Sequence, residues 1–369
     1  MLFSYPFAYQ HVFIHIEHMP ATNLPNLQTN VALAPYTTIH LGGPAKYFID
    51  CTSVLELKSA LDYAAQNRLP VHVLGGGSNT VFPESGYNGL VLRVNWQSIE
   101  FVADGKYTKV TASAGEPWDS LVFAAVSRGL GGLENMSGIP GTVGAAPIQN
   151  VGAYGQDVSQ VITSVTAIDR STQQESNFPN ELCQFDYRTS RFKKDDQHKF
   201  VITNVTFRLS NEGIPSISHP DVLDELRNKA ISGRGITALT QLRTAILNVR
   251  RRKSMIIDPA DPHSCSCGSF FENPILTKTQ YRLLEEKAGQ PVPARPAGQS
   301  FIVSAAWLIE QAGFPKGYRQ DSVGVSDHHN LALVNYGGTT AALLSLAEDI
   351  RSKVKDKFGI LLETEPVIV

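Results

Sequence analysis

The chain has 369 residues, of which 42% are hydrophobic and 18% charged, values that exclude a disordered or fibrous protein. Its 32 basic and 34 acidic side chains leave a net charge of −2, which gives no footing for charge-driven nucleic-acid binding. No apolar run approaches the roughly 18 residues of a membrane span, and at about 150 residues per domain two or three domains are expected.

The first twenty residues, MLFSYPFAYQHVFIHIEHMP, are aromatic-rich but lack the basic and clean apolar regions of a secretory signal. They read as an extra local element or as sequence upstream of a start at Met19. Residues 20–34 are polar and loop-like, so residues 1–34 are expected to be an extension, with structure beginning near Tyr36. A strand at 46–51 leads to a helix at 53–67 whose apolar positions are Leu55, Leu57, Leu61 and Ala64. Strands follow at 71–74, 89–93 and 107–112, then a helix at 116–129. Strands resume at 161–169 and 200–209.

From Asn211 onward, helices are expected at 220–231, 238–252, 277–287 and 303–312, around an irregular stretch at 254–275. After a strand at 331–335, the last helix at 340–358 places Leu343, Leu346, Ala347, Ile350, Val354 and Phe358 on one face. ILLETEPVIV closes the chain as a strand. The irregular alternation of elements predicts an α+β protein. Cys51, Cys183, Cys265 and Cys267 do not suit a disulfide framework and read as thiols of a reducing cytoplasm. No metal site is expected: Cys265, Cys267 and His263 lack a second pair at zinc spacing.

Two glycine-rich segments stand out. Gly75-Gly76-Gly77-Ser78-Asn79 directly follows a strand, and backbone N–H groups in such a turn form a concavity for anions such as a diphosphate. It is neither a Rossmann fingerprint, since Thr80 stands where the third glycine belongs, nor a P-loop. From Gly129 to Gly155 the chain is mostly small residues. It is too poor in large side chains to make a core, and is suited to close approach of backbone to a ligand. Long irregular loops within a compact domain are usually functional, so the pair favours a nucleotide or dinucleotide cofactor.

The blocks LGGGSNTVF, GLENMSGIPGTVGAAPIQNVGAYG, FDYRTSRFK, RRRKS, GSFFENP, SAAWLIEQAG and LETEP occur in the order found in the UDP-N-acetylenolpyruvoylglucosamine reductase (UDP-N-acetylmuramate dehydrogenase, MurB) family, which the chain resembles from Tyr36 to Val369. The resemblance implies an FAD-binding domain of the vanillyl-alcohol-oxidase (PCMH) type at 35–211, in two subdomains. It also implies an α+β substrate-binding domain at 212–369, whose last strand returns to the active site. FAD would be non-covalent, its diphosphate held by Gly75, Gly76, Gly77, Ser78, Asn79 and Thr80. Pro140, Gly141, Gly144, Ala145, Gln149, Asn150, Gly152, Ala153 and Tyr154 would line the flavin.

The implied reaction is reduction of UDP-N-acetylglucosamine enolpyruvate to UDP-N-acetylmuramate in peptidoglycan precursor synthesis, with NADPH as electron donor. Hydride would reach C3 from reduced flavin, and Ser269 would protonate C2. Arg188 would bind the carboxylate, where a planar guanidinium suits bidentate contact and spreading negative charge. Glu365 would assist the enol-like species, with Glu363 the alternative on the same strand face. Tyr187, Arg250, Lys253, Asn273 and Gln311 would contact substrate.

The family's closing-loop tyrosine has no counterpart in residues 211–222, where His219 lies nearby. Glu272 stands where relatives often have Lys or Thr. With no separate dinucleotide fingerprint, NADPH and the UDP-sugar are expected to share one cleft in turn, in a cytoplasmic monomer. A flavin oxidase on the same scaffold, an enzyme on another UDP-linked substrate, and a non-enzymatic nucleotide-binding protein are the competing readings.

Overall fold

A computed structural model describes residues 24–227, 231 and 233–369. The sequence patterns for residues 1–23 lie outside the described residues, as do 228–230 of the helix expected at 220–231, which among the described residues spans only Pro220–Glu225. Two bodies of strand and helix each carry an apolar core.

In the first, a four-stranded sheet runs in the order Gln28–Ala32, Pro44–Cys51, Tyr87–Val94, Val71–Leu74. The first pair is antiparallel and the rest parallel. Helix Val54–Gln66 makes the crossover that parallel strands require. Ser53 caps it by accepting from the Glu56 amide at 3.2 Å. Its buried stripe is Leu57, Ala60, Leu61 and Ala64, so Leu55, expected inward, is 69% exposed.

A five-stranded antiparallel sheet follows, in the order Glu175–Pro179, Ile162–Asp169, Phe200–Ser210, Tyr107–Ser113, Ile99–Asp104. Helices Trp118–Val126 and Ile236–Arg252 join this body, and Trp118, Phe207, Val110 and Leu92 share its core.

In the second body, strands Ser266–Ser269, Ala332–Asn335, Val323–Val325 and Arg319–Gln320 form one antiparallel sheet. A smaller sheet has Ile275–Thr277, Ser300–Val303 and Ala294–Ala297. Helix Thr340–Phe358 lays all six of its expected apolar positions into this core, with Phe270, Leu308 and Leu333. Helix Ala305–Gln311 begins later than its pattern suggests, because Ser300–Val303 pairs as a strand and Ser304 caps the helix through the Trp307 amide.

The carboxyl terminus is not the single strand its composition suggests. Only Val367–Ile368 is strand, parallel to Thr80–Val81, while Thr364 makes a lone bridge to Phe271. The tail therefore threads between the end of the first glycine loop and the Gly268–Phe271 segment, tying both bodies together.

The extension also needs correction. Within residues 24–34, strand Gln28–Ala32 extends the first sheet, and Leu33 is fully buried beside Phe48 and Phe82. Leu33→Ala is expected to lower unfolding free energy by about 2–5 kcal/mol, measured by urea denaturation. A loss within error of zero would show that this segment is dispensable.

Candidate active site

The two glycine-rich segments meet backbone to backbone. A Cβ on Gly76 would lie 2.7 Å from Gly141 Cα, and one on Gly75 would lie 2.7 Å from Thr142 Oγ1. Gly77 has φ +62°, and a Cβ there would fall 1.9 Å from the Tyr36 carbonyl oxygen. Only glycine fits this approach. Side chains lock it: Ser78 Oγ donates to the Pro140 carbonyl at 3.1 Å, and Asn79 Nδ2 donates to Gln149 Oε1 at 2.7 Å. None of the amides of residues 76–79 has a protein acceptor among the described residues.

These segments wall a cavity of about 630 Å³ that runs on to the second body. Every expected cofactor residue lines it except Asn150. Asn150 is buried with φ +47°. Its Nδ2 donates to the Asp186 carbonyl at 3.0 Å, and its Oδ1 accepts from the Ser159 amide at 3.0 Å. It is a clamp on the turn that carries Arg188, not part of the cavity wall.

Arg188, Ser269 and Glu365 all reach this cavity. Arg188 sits at φ +52°, in a tight turn closed by reciprocal Asp186 and Thr189 backbone bonds of 3.1 and 3.2 Å. Such a non-glycine conformation costs on the order of 1–3 kcal/mol and persists only where neighbours enforce it. Arg188 Nε lies 3.3 Å from Glu365 Oε1, within ion-pair range but misaligned for a hydrogen bond, and is otherwise unpartnered among the described residues. Glu365 is held by its amide on the Phe270 carbonyl, by Asn79 on its carbonyl, and by Gln149 Nε2 at 3.4 Å from Oε1.

The Glu365 side chain is only 11% exposed. Burial pushes its carboxyl above the usual range; Arg188 pulls it down, Glu272 pushes it up and Lys193 opposes that. Glu363, the alternative, is exposed and does not line the cavity. Ser269 ends its strand after Gly268, at φ +72°, and its hydroxyl has no protein partner among the described residues. It remains free for a ligand.

The far wall carries Tyr154, His219, Asp221, Arg250, Lys253 and His329. The buried Arg250 donates to the carbonyls of Gly138 at 3.1 Å and Met255 at 2.7 Å, so its guanidinium braces backbone. Lys253 Nζ pairs with Asp221 Oδ2. The His219 ring packs edge-on to Tyr154 at 5.0 Å. Asn273 lines the cavity, accepts from the Ala305 amide at 2.9 Å and reaches Tyr187 Oη at 3.3 Å. Tyr187 supports the wall from behind, next to Arg188 and Arg295, without lining it. Gln311 is not brought to the cavity. It ends helix Ala305–Gln311, where its carbonyl accepts from Lys357.

Several cavity residues escaped sequence reasoning, among them His329, His72 and Lys193. His329 lies in an Asp-His-His-Asn run that resembles nothing catalytic, and His72 lies inside an apolar strand. Burial lowers both imidazoles to about 4, so both are neutral near pH 7. Lys193, two residues after Arg191 in FDYRTSRFK, pairs with Glu272 at 2.7 Å, which accounts for that acidic residue.

Residues 259–369 match the model of the UDP-N-acetylenolpyruvoylglucosamine reductase C-terminal domain, and residues 45–174 match an FAD-binding domain. The chain is 43% identical over 350 residues to the UDP-N-acetylenolpyruvoylglucosamine reductase of Thermobifida fusca, covering 92% of this chain and 97% of that one. This chain belongs to the UDP-N-acetylenolpyruvoylglucosamine reductase family. A Streptomyces avermitilis relative of the same name is 41% identical over 361 residues, covering 95% of this chain and 97% of its own. The fold agrees with a crystal structure of the Thermus caldophilus reductase at a TM-score of 0.61, with 24% identity over 92% of this chain and 97% of that one.

As a member of this reductase family the chain is an FAD-dependent oxidoreductase of α+β fold. Its residues fit the cofactor: the unpaired amides of residues 76–79 and the side-chain-free contact at Gly76 suit a diphosphate. The four cysteines are free, and no helix among the described residues is long and apolar enough to cross a membrane.

Gly76→Ala should weaken FAD binding by about 1–3 kcal/mol through overpacking at Gly141, read as flavin absorbance retained after gel filtration. Parent-like flavin content would show that the loops need no close approach. Stability should also fall in mild acid. Above the usual 6.5 both His72 and His329 are neutral folded or unfolded; between 6.5 and about 4 only the unfolded chain takes up their protons. Each adds a slope of up to roughly 1.4 kcal/mol per pH unit. Urea titrations across this window should show a shallower slope for His329→Gln; an identical slope would mean His329 is not held neutral.

Proposed function

We propose that the chain reduces UDP-N-acetylglucosamine enolpyruvate to UDP-N-acetylmuramate in peptidoglycan precursor synthesis, with NADPH as electron donor. The observation that carries this is the convergence of Arg188, Ser269 and Glu365 on one cavity walled by the glycine loops. The loops around Gly75–Asn79 and Pro140–Gln149 would hold FAD, which would supply the hydride-transfer chemistry between NADPH and C3 of the enolpyruvyl group.

Addition of hydride at C3 drives negative charge through C2 onto the substrate carboxylate. Arg188, whose Nε has no hydrogen bond among the described residues, would take that carboxylate and stabilise the charge in a site of low dielectric. Ser269 would give its hydroxyl proton to C2, a role supported by its free hydroxyl and its place on the wall. Glu365, raised by burial and steered by Arg188 and Gln149, would assist that proton transfer. Lys253 and Asn273 would meet the UDP-sugar, and His219 would stand where relatives place a loop tyrosine. NADPH and the sugar nucleotide would occupy this cleft in turn, in a cytoplasmic monomer.

Two separate apolar cores support a flavin domain and a substrate domain, but not a clean boundary at 211/212: helix Ile236–Arg252 packs on the first core through Leu239, and Ile39, Leu41 and Val81 join the second. Ser269→Ala should leave flavin bleaching by NADPH close to parent, while reoxidation by the enolpyruvyl sugar slows about 10²–10⁴-fold in stopped-flow absorbance. Reoxidation at the parent rate would remove Ser269 as the proton donor.

A further inference from the structure

Lys193 reaches two partners at once. Its Nζ donates to the Arg188 carbonyl at 3.0 Å and to Glu272 Oε1 at 2.7 Å. Glu272 is itself fixed, since its amide donates to the Glu363 carbonyl at 3.0 Å, two residues before Glu365. One ammonium thus bridges the turn that carries Arg188 and the segment after Ser269, which is itself bonded to the tail that carries Glu365. Neither residue is assigned a role in the reaction above.

The turn needs such a bridge. Arg188 is left-handed at φ +52°. The reciprocal Asp186 and Thr189 bonds close the turn, holding the Arg188–Thr189 peptide by its N–H, but give the Arg188 carbonyl no backbone donor among the described residues. Asn150 secures the Asp186 carbonyl on one side. Lys193 is the side-chain donor that secures the Arg188 carbonyl on the other. Without Glu272 the long lysine would hold no single rotamer there: the Lys193 side chain is 29% exposed, and the carboxylate offsets the entropy of ordering it.

We propose that Lys193 and Glu272 act as one positioning pair, which holds the Arg188 peptide in its left-handed turn and so aims the guanidinium at the substrate carboxylate beside Glu365. This rests on the function proposed above for the substrate step, but the anchoring itself does not. A guanidinium displaced by about 1 Å can lose up to 10²-fold in rate. Two residues serving one contact should also give non-additive effects.

The test uses the full-length, FAD-loaded protein with Lys193→Met, Glu272→Gln, the double variant and Lys193→Arg. Amide hydrogen exchange over residues 186–190, followed by mass spectrometry, should speed up in Lys193→Met and Glu272→Gln and return toward parent in Lys193→Arg. Flavin reoxidation by the enolpyruvyl sugar should slow by roughly 10–100-fold in Lys193→Met, with a smaller change in flavin reduction. The double variant should be no slower than Lys193→Met, and Lys193→Arg should recover most of the rate.

Parent-like exchange in both Lys193→Met and Glu272→Gln would overturn the proposal, as would additive losses in the double variant. Slow reoxidation in Lys193→Met with parent-like behaviour of Glu272→Gln would also overturn it, making the lysine a direct ligand contact. If the parent itself is not reoxidised by the enolpyruvyl sugar, the proposed function fails while the exchange result still decides the anchoring.

Discussion

The contact of Gly76 with Gly141 sets the terms for the rest of the molecule. The first loop buries little side chain of its own, whereas the small-residue segment, against its composition, sinks Leu133, Met136 and Val143 into the first core, and this packing holds the contact. The parallel strands deliver one loop, and the small-residue segment is pinned by bonds from Val143 to Glu116 and from Gly144 to Ala114. Trp118, fully buried, braces this from below by donating Nε1 to the Met136 carbonyl at 3.0 Å. The large apolar core of the first body is what makes a side-chain-free cradle affordable against its conformational entropy.

That cradle leaves a low-dielectric space, and the charges around it follow. A carboxylate placed there alone would be disfavoured, so Glu365 is hydrogen-bonded by Gln149 and paired with Arg188. The two carboxylates on the carboxyl-terminal side, Glu272 and Glu365, are each matched by one cation from the 186–193 segment. Arg188 sits against Glu365 and Lys193 against Glu272. This two-by-two arrangement keeps the site near neutral while leaving Arg188 without a well-aligned bond, and an unsatisfied buried donor is a group poised to take a ligand.

Much of this was legible in the residues. Periodicity located the long helices, and Thr340–Phe358 matched its pattern because a six-residue apolar stripe admits one orientation against a sheet. Glycine content located both loops that wall the cavity. What failed was the short and the shared. Strands Ala294–Ala297 and Ile99–Asp104 were missed, the first because a proline sits in it and is tolerated only at an edge. Asn150 and Gln311 lie in recognisable motifs, yet one clamps a turn and the other ends a helix. Motif membership reports that a position is constrained, not which constraint applies. Glu272 showed the converse: a residue that fits no motif becomes intelligible once Lys193, far away in sequence, is seen beside it.

The cationic run Arg250 to Lys253 shows how the fold separates brace from ligand group within four residues. Arg250 faces inward along its helix and is engaged by two backbone carbonyls, so releasing it would strand a buried charge. Arg252 is paired with Glu225 away from the cavity wall. Lys253 stands at the helix end, paired with Asp221, and both side chains are about a third exposed, at 34% and 38%. An ion pair so open to water contributes only about 0–1 kcal/mol. Under the proposed function, an incoming phosphate can therefore displace Asp221 from Lys253 at little cost, whereas it cannot recruit Arg250. The same exchange would let NADPH and the sugar nucleotide use one lysine in turn, since neither has to break a buried interaction to reach it.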